Sequence, residues 1–113
     1  MIPAVNNIVK KVLPSNEEDG VKLDNGKNRL DLIEPQFIEA VGDVLTFGAN
    51  KYAPNNWQNV DNAIDRYYAA ALRHLLAWRK GESLDDESNL NHLAHAATNI
   101  MFLLHFETSQ ETK

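Results

Sequence analysis

Apolar side chains recur at helical spacing along most of the chain. Phe37, Val41, Val44 and Leu45 form one stripe, Pro35 suits a first helical turn, and Glu34 suits the positive end of a helix dipole. The pattern predicts a helix from about Pro35 that stops at Gly48. Ile64, Tyr68, Ala71, Leu72 and Leu75 give a second helix its buried face, with Asp61 as N-cap and an end near Arg79, before Gly81. Leu90, Leu93, Ala97, Ile100, Met101 and Leu104 mark a third helix, capped by Ser88 or Asn89 and followed from Glu107 by a polar tail that frays. The first third of the chain is less regular. Ile2, Val5, Ile8, Val9 and Val12 fit a short amphipathic helix ahead of Pro14, and their β-branched content fits a strand nearly as well. Residues 15–20 read as a polar loop. Asp24-Asn25-Gly26 is a turn signal, with a small hairpin conceivable around it.

The expected fold is all-α: a small bundle of three main helices behind an irregular N-terminal segment. A chain of 113 residues makes one domain, large enough for a core without covalent staples. Within it, residues 1–25 are the irregular segment, 26–107 the helical domain and 108–113 the polar tail. Ala69-Ala70-Ala71-Leu72, Ala94 and Ala96-Ala97 suggest close packing on more than one side of two helices, which points to completion of the bundle by oligomerisation.

Composition narrows the partners. Apolar residues make up 43% and charged residues 24%, the mix of a globular protein. A formal charge of −5 makes a poor polyelectrolyte partner for DNA or RNA. Cysteine is absent, which removes a disulfide framework, a thiolate nucleophile and a Cys-zinc site. No apolar run approaches the ~20 residues of a membrane-spanning helix. Lys10 and Lys11 follow the first apolar residues, the reverse of a signal peptide. The expectation is a cytoplasmic protein without nucleic acid or membrane as partner.

Chemistry is best sought where polar groups interrupt apolar helices. Arg73 and His74 break the run 69–78; they are either a helix edge with a snorkelling arginine or donors to an anionic ligand. His92, His95 and Asn99 share one face of the third helix at i, i+3 and i+7. They are either core groups satisfied internally or a stripe that binds metal or ligand. Glu82, Asp85, Asp86 and Glu87 crowd six residues just before that face. Such a cluster either faces water or gathers a hard cation, Mg2+ or Mn2+. Glu39 and Asp43 are an i,i+4 acidic pair on the first helix. Tyr52, Asn56 and Trp57 share a loop with Lys51, and there aromatics beside an amide can stack on and read a base while the lysine meets a phosphate. Taken together, the patterns suggest an anionic, base-bearing ligand with a metal, which is a nucleotide.

The ordered motifs also resemble a known family. Gly26-Lys27-Asn28-Arg29-Leu30-Asp31-Leu32, then Leu45-Thr46-Phe47-Gly48-Ala49-Asn50-Lys51-Tyr52, Asn56-Trp57, Ala71-Leu72-Arg73-His74-Leu75-Leu76-Ala77-Trp78, Gly81-Glu82, Asp85 with Glu87-Ser88, and His92-Leu93-Ala94-His95-Ala96 with Asn99 are similar to small phage proteins named for a dATP/dGTP diphosphohydrolase N-terminal domain. The likeness covers about residues 24–107. It implies an all-α, phage-type domain linked to deoxynucleotide pools, and hydrolysis of a purine nucleoside triphosphate to the monophosphate and pyrophosphate. It also implies kinship with the MazG-type all-α pyrophosphohydrolases, which hold magnesium with carboxylates from two helices and assemble as dimers or tetramers. This sequence departs from the MazG pattern: a Glu-x-x-Glu helix is absent, and His92-Leu93-Ala94-His95 stands where Glu-x-x-Asp is usual.

Chemistry and resemblance together give the expected site. Glu82, Asp85 and Glu87 hold magnesium or manganese, with His92 assisting as a catalytic residue and Glu39 or Asp43 completing the shell. Lys51, Arg73 and His74 neutralise the triphosphate, Tyr52 and Trp57 stack the base, and Asn56 reads its edge. His95 and Asn99 complete the ligand-binding face. The rival reading is a non-catalytic protein that sequesters a nucleotide or a nucleotide signal.

Overall fold

A computed structural model describes residues 20–23 and 25–111. The helix or strand expected over residues 2–12, and nearly all of the loop expected over residues 15–20, lie outside them. The chain divides into two compact units, Met1–Leu30 and Asp31–Lys113. In the first unit, Asn25 and Gly26 form the expected turn, with Gly26 at φ 83°, and the described residues beside it form no strand.

The second unit is built from three helices: α1 (Pro35–Lys51), α2 (Ala63–Arg79) and α3 (His92–Glu111). Short 3-10 turns lie at Leu30–Leu32 and Asn56–Asn59. Both α1 and α2 pack on α3. Strands are absent among the described residues, and the fold is the expected all-α bundle. No described helix is long and apolar enough to cross a membrane.

Helix ends differ from the expected ones for local reasons. α1 runs through Gly48 to Lys51, because Gly48 does not take the left-handed conformation that ends a helix; the amide of Tyr52 still donates to the Gly48 carbonyl at 2.9 Å. Pro54 follows and prevents a restart. α2 begins one residue later than a cap at Asp61 allows. Asn62 takes the cap position at φ 54° without a side-chain bond, and the Arg66 amide donates to its carbonyl at 3.2 Å. Its end conforms to a glycine-terminated cap. Gly81, at φ 107°, donates to the Trp78 carbonyl at 2.9 Å, and Glu82 donates to the Ala77 carbonyl at 3.0 Å.

Neither Ser88 nor Asn89 caps α3. Residues 82–91 fold back on themselves instead, through an isolated antiparallel bridge between Leu84 and Asn91. Asp85 N–H donates to the Leu90 carbonyl and His92 N–H to the Ser83 carbonyl, both at 2.8 Å, and Asn89 turns the chain at φ 61°. The first amide of α3 is thus satisfied by backbone rather than by a side chain. α3 continues through Glu107 to Glu111, past the start of the expected tail.

Val44 of α1 and Ala71 of α2 are buried as expected, while α3 turns its polar stripe inward. Buried apolar side chains are small, namely Ala63 and Ala71 from α2 and Ala94 and Ala96 from α3, with Val44 from α1. Beside them His92, His95, Thr98 and Asn99 are buried. Thr98 donates to the Ala94 carbonyl and Asn99 to the His95 carbonyl, both at 2.8 Å, so α3 satisfies polar groups within its own turns. Several of the larger side chains expected inside are outside: Tyr68 is 57% exposed, Ile100 54% and Leu104 57%.

Candidate functional site: a histidine cluster beside a cavity

Small residues at the α2–α3 contact let the two backbones approach, which brings His74 of α2 against the first turns of α3. Nδ1 of His74 lies 2.8 Å from Nδ1 of His92. The His74 ring also stacks on His95, with centroids 4.5 Å apart and planes 9° from parallel. His92 Nε2 lies 2.7 Å from Oε2 of Glu82. His95 Nε2 lies 2.6 Å from Oγ of Ser88. The fold-back at residues 82–91 sets Glu82, Asp85 and Ser88 around the histidines, and each acid takes a different partner.

Asp85 is held by its own turn. Its Oδ2 accepts from the amide of Glu87 at 3.1 Å, the amide of Ser88 at 2.9 Å and the Ser88 hydroxyl at 3.1 Å. Burial alone would raise its pKa. The bonds from Ser88, with the nearby His95 and His74, outweigh that and leave it below the usual carboxylate value. His74 is pushed down to about 4, first by burial and then by His95, against an opposing pull from Asp85. Burial also lowers His95, again against Asp85. Near neutral pH these two imidazoles are therefore neutral and carry a lone pair, the form that binds a cation. His74, Asp85 and His92 each offer one ligand atom, and those atoms lie within 4.8 Å of one another. Two imidazole nitrogens and a carboxylate oxygen are a donor set that fits a divalent metal.

A cavity of about 960 Å3 opens beside the cluster, between α1, the 52–60 loop, α2 and α3. Its volume is in the range that encloses a small organic ligand. Lys51, Tyr52, Asn56, Trp57, Arg73, His95 and Asn99 all line it. His74 does not line it; it stands behind His95, in the cluster. His95 belongs to both places and joins them.

The loop side of the cavity is fixed. Trp57 stacks on Phe102 with centroids 4.4 Å apart and meets the edge of His105 at 4.9 Å. The Tyr67 hydroxyl donates to the Trp57 carbonyl at 2.8 Å. Tyr52 is largely exposed, and the Lys51 ammonium sits 5.2 Å from the centre of its ring. Lys51 also pairs with Glu87, which ties the end of α1 to the acidic loop. The hydrogen bond to Glu87, and then that to Tyr52, raise the lysine's pKa.

The acids singled out in the sequence are thus dispersed. Asp85 joins the histidines, Glu82 bonds His92 and Glu87 bonds Lys51. Glu39 and Asp43 are exposed on α1 and belong to no grouping of three metal-ligating side chains among the described residues. Two residues at the site lacked a sequence signal strong enough to single them out. Ser88, three positions after Asp85, has the spacing of a side chain that closes a turn. Tyr67 is one of two adjacent tyrosines, and only the fold shows which of them turns inward.

Comparison with known proteins gives a consistent picture. A family model described as dATP/dGTP diphosphohydrolase, N-terminal, matches residues 17–113. A protein of Salmonella phage PMBT28 named dATP/dGTP diphosphohydrolase is 45% identical over 84 residues. Those residues are 74% of this chain and 28% of that relative, so the chain spans under a third of the relative's length. No solved structure matches.

Proposed function

The chain belongs to the dATP/dGTP diphosphohydrolase N-terminal family, and from that premise we propose that it hydrolyses a purine (deoxy)nucleoside triphosphate to the monophosphate and pyrophosphate with the help of a divalent cation. One observation carries the reading: His95 lines the nucleotide-sized cavity and stacks on His74 of the metal-fitting cluster. Reacting phosphate and cation can meet there.

Within this reading His74, Asp85 and His92 hold the cation, which leaves Glu39 and Asp43 outside the site. The bound ion supplies Lewis-acid stabilisation of charge on the phosphate oxygens. Arg73 and Lys51 bring positive charge to the cavity wall, where a triphosphate needs it. Tyr52 offers an exposed ring for the base, Trp57 closes the pocket beside it, and Asn56 supplies an amide for the base edge. Asn99 and His95 face the ligand from α3. Water attacks the α-phosphorus, the bond to the β-phosphate breaks and pyrophosphate leaves. We assign the water's proton to Glu87, whose carboxylate becomes free when Lys51 turns from it to the phosphates. Glu82 acts through His92.

The setting proposed is control of nucleotide pools in the cytoplasm of a phage host, by a homo-oligomer. Leu72 and Leu76, one turn apart on α2, and Ile100 and Leu104, one turn apart on α3, are exposed. Such faces support self-association into a dimer or tetramer.

The test is product analysis of the purified protein with each common dNTP and NTP in Mg2+, Mn2+ or Co2+. Pyrophosphate with the matching monophosphate is the expected result. Nucleotide bound tightly and recovered intact under every condition would replace hydrolysis with sequestration.

A further inference from the structure

We propose that His74, Asp85 and His92 form a site for a nitrogen-preferring first-row dication, of the zinc or cobalt kind, that discriminates against magnesium, and that Glu82 is the positioning residue that sets His92 for it. The proposal rests on the reading of this cluster as a metal centre and not on the hydrolysis reaction.

The acids are disposed against magnesium. Mg2+ takes oxygen ligands in near-ideal octahedral geometry and gives up its waters reluctantly. Of the four carboxylates on the 82–91 loop, Glu82 is engaged with His92, Glu87 with Lys51, and Asp86 is exposed and outside the grouping. Asp85 is the one acid in the grouping, and its other two members are imidazoles. Imidazole nitrogen favours zinc, nickel, copper and iron over magnesium, while carboxylate and water favour the harder ions.

The histidines are disposed toward such a metal. An ionised carboxylate only accepts hydrogen bonds, so the 2.7 Å contact to Glu82 places the proton of His92 on Nε2. The lone pair is then on Nδ1, facing His74. A carboxylate behind a ligating histidine fixes its tautomer and raises its basicity, and loss of such a partner weakens metal binding by roughly 10–100-fold. Nδ1 of His74 faces the same point from 2.8 Å. At metal–nitrogen bonds of ~2.0–2.1 Å in a tetrahedral site, adjacent ligand atoms stand about 3.3 Å apart. The two rings need part only slightly to place one ion where a single proton now bridges them. Asp85 completes the set with an orientation already fixed, because three donors converge on its Oδ2.

The experiment uses the full chain, without nucleotide. The nitrogen-15 resonances of the imidazole rings are followed while zinc chloride is added to metal-stripped protein. Expected is saturation at one equivalent, with Nδ1 of His74 and of His92 shifted as metal-bound nitrogens, Nε2–H of His92 retained, and His105 unmoved. Cobalt should give a visible absorption band that zinc removes and that a thousandfold excess of magnesium leaves in place. Glu82→Gln, an exposed position, should bind zinc roughly 10–100-fold more weakly. The proposal is overturned if zinc leaves His74 and His92 unshifted, if magnesium removes cobalt at comparable concentration, or if Glu82→Gln binds zinc as tightly as the parent. A chain that binds zinc in this way and hydrolyses no nucleotide upholds the site and overturns only the reaction.

Discussion

Nδ1 of His74 and Nδ1 of His92 face each other at 2.8 Å across the α2–α3 contact. At that distance both rings cannot be charged, and burial holds His74 neutral to about pH 4. The ordinary histidine value is about 6.5. Between those two values the unfolded chain binds a proton at this position and the folded chain does not. His74 therefore destabilises the fold progressively as pH falls from about 6.5 to 4, and has no such effect above that window. Thermal unfolding followed from pH 8 to pH 4 should show Tm falling through this range. The slope should flatten in His74→Gln. An unchanged slope in that variant would contradict the burial of a neutral ring.

Ser88 ties the acidic turn to α3. Its hydroxyl bonds Asp85, lies 2.6 Å from His95 Nε2 and accepts from the Leu90 amide at 3.2 Å. Ser88→Ala leaves those partners short of a bond inside a partly buried network and should cost about 1–3 kcal/mol. Chemical denaturation measures this. A loss well under 0.5 kcal/mol would mean that water or a neighbouring group replaces the hydroxyl.

The three helices were legible because apolar residues repeat at helical spacing over long stretches. Which side of α3 turns inward was not. α3 has a stripe of Leu93, Ile100 and Leu104 and a stripe of His92, His95 and Asn99, and periodicity alone marks the first as the core. Ala94 and Ala96 reverse the choice on α3: together with Ala71 of α2, these small residues let the two helices come close, and the polar stripe travels in with them. The shared face of His92, His95 and Asn99 could be read from spacing. That His74 meets it depends on how two helices pack, which local pattern does not encode. The crowded acids read as one metal-binding patch, but left-handed Asn89 folds the loop back and gives Glu82, Asp85 and Glu87 different partners.

Tyr67 anchors the cavity loop through its bond to the Trp57 carbonyl. Tyr67→Phe should cost about 1 kcal/mol of stability. Because the loop carries Asn56 and Trp57, the larger effect should be a severalfold rise in KM for nucleotide with kcat nearly unchanged. A fall in kcat with unaltered KM would place Tyr67 in the chemistry rather than in the wall.

Glu87 and Lys51 pair at the cavity's edge. Glu87→Gln keeps the shape and removes the base. It should reduce kcat by about 100-fold or more with little change in Tm, since an exposed ion pair contributes little to stability. Lys51→Ala should mainly raise KM. Steady-state kinetics of the two variants separate these roles, and a Glu87→Gln enzyme with parental kcat would remove Glu87 from the reaction.

Ala96 is 2% exposed. Ala96→Leu forces a branched side chain into this buried position and should cost about 1–3 kcal/mol or more. It should also disturb His95 next to it. Denaturant unfolding with imidazole NMR checks both effects, and unchanged stability would show that α3 has room the fold does not suggest.

The central claim is that the histidine cluster and the cavity act as one site on a nucleoside triphosphate. The most direct test compares the parent protein with His74→Asn, which loses the metal-side nitrogen but lies outside the cavity wall. Both are incubated with dATP and dGTP and a divalent metal, and circular dichroism confirms that both are folded. The account predicts monophosphate and pyrophosphate from the parent, and a rate at least about 100-fold lower from His74→Asn, with nucleotide binding retained. Turnover at the parental rate in folded His74→Asn would contradict it.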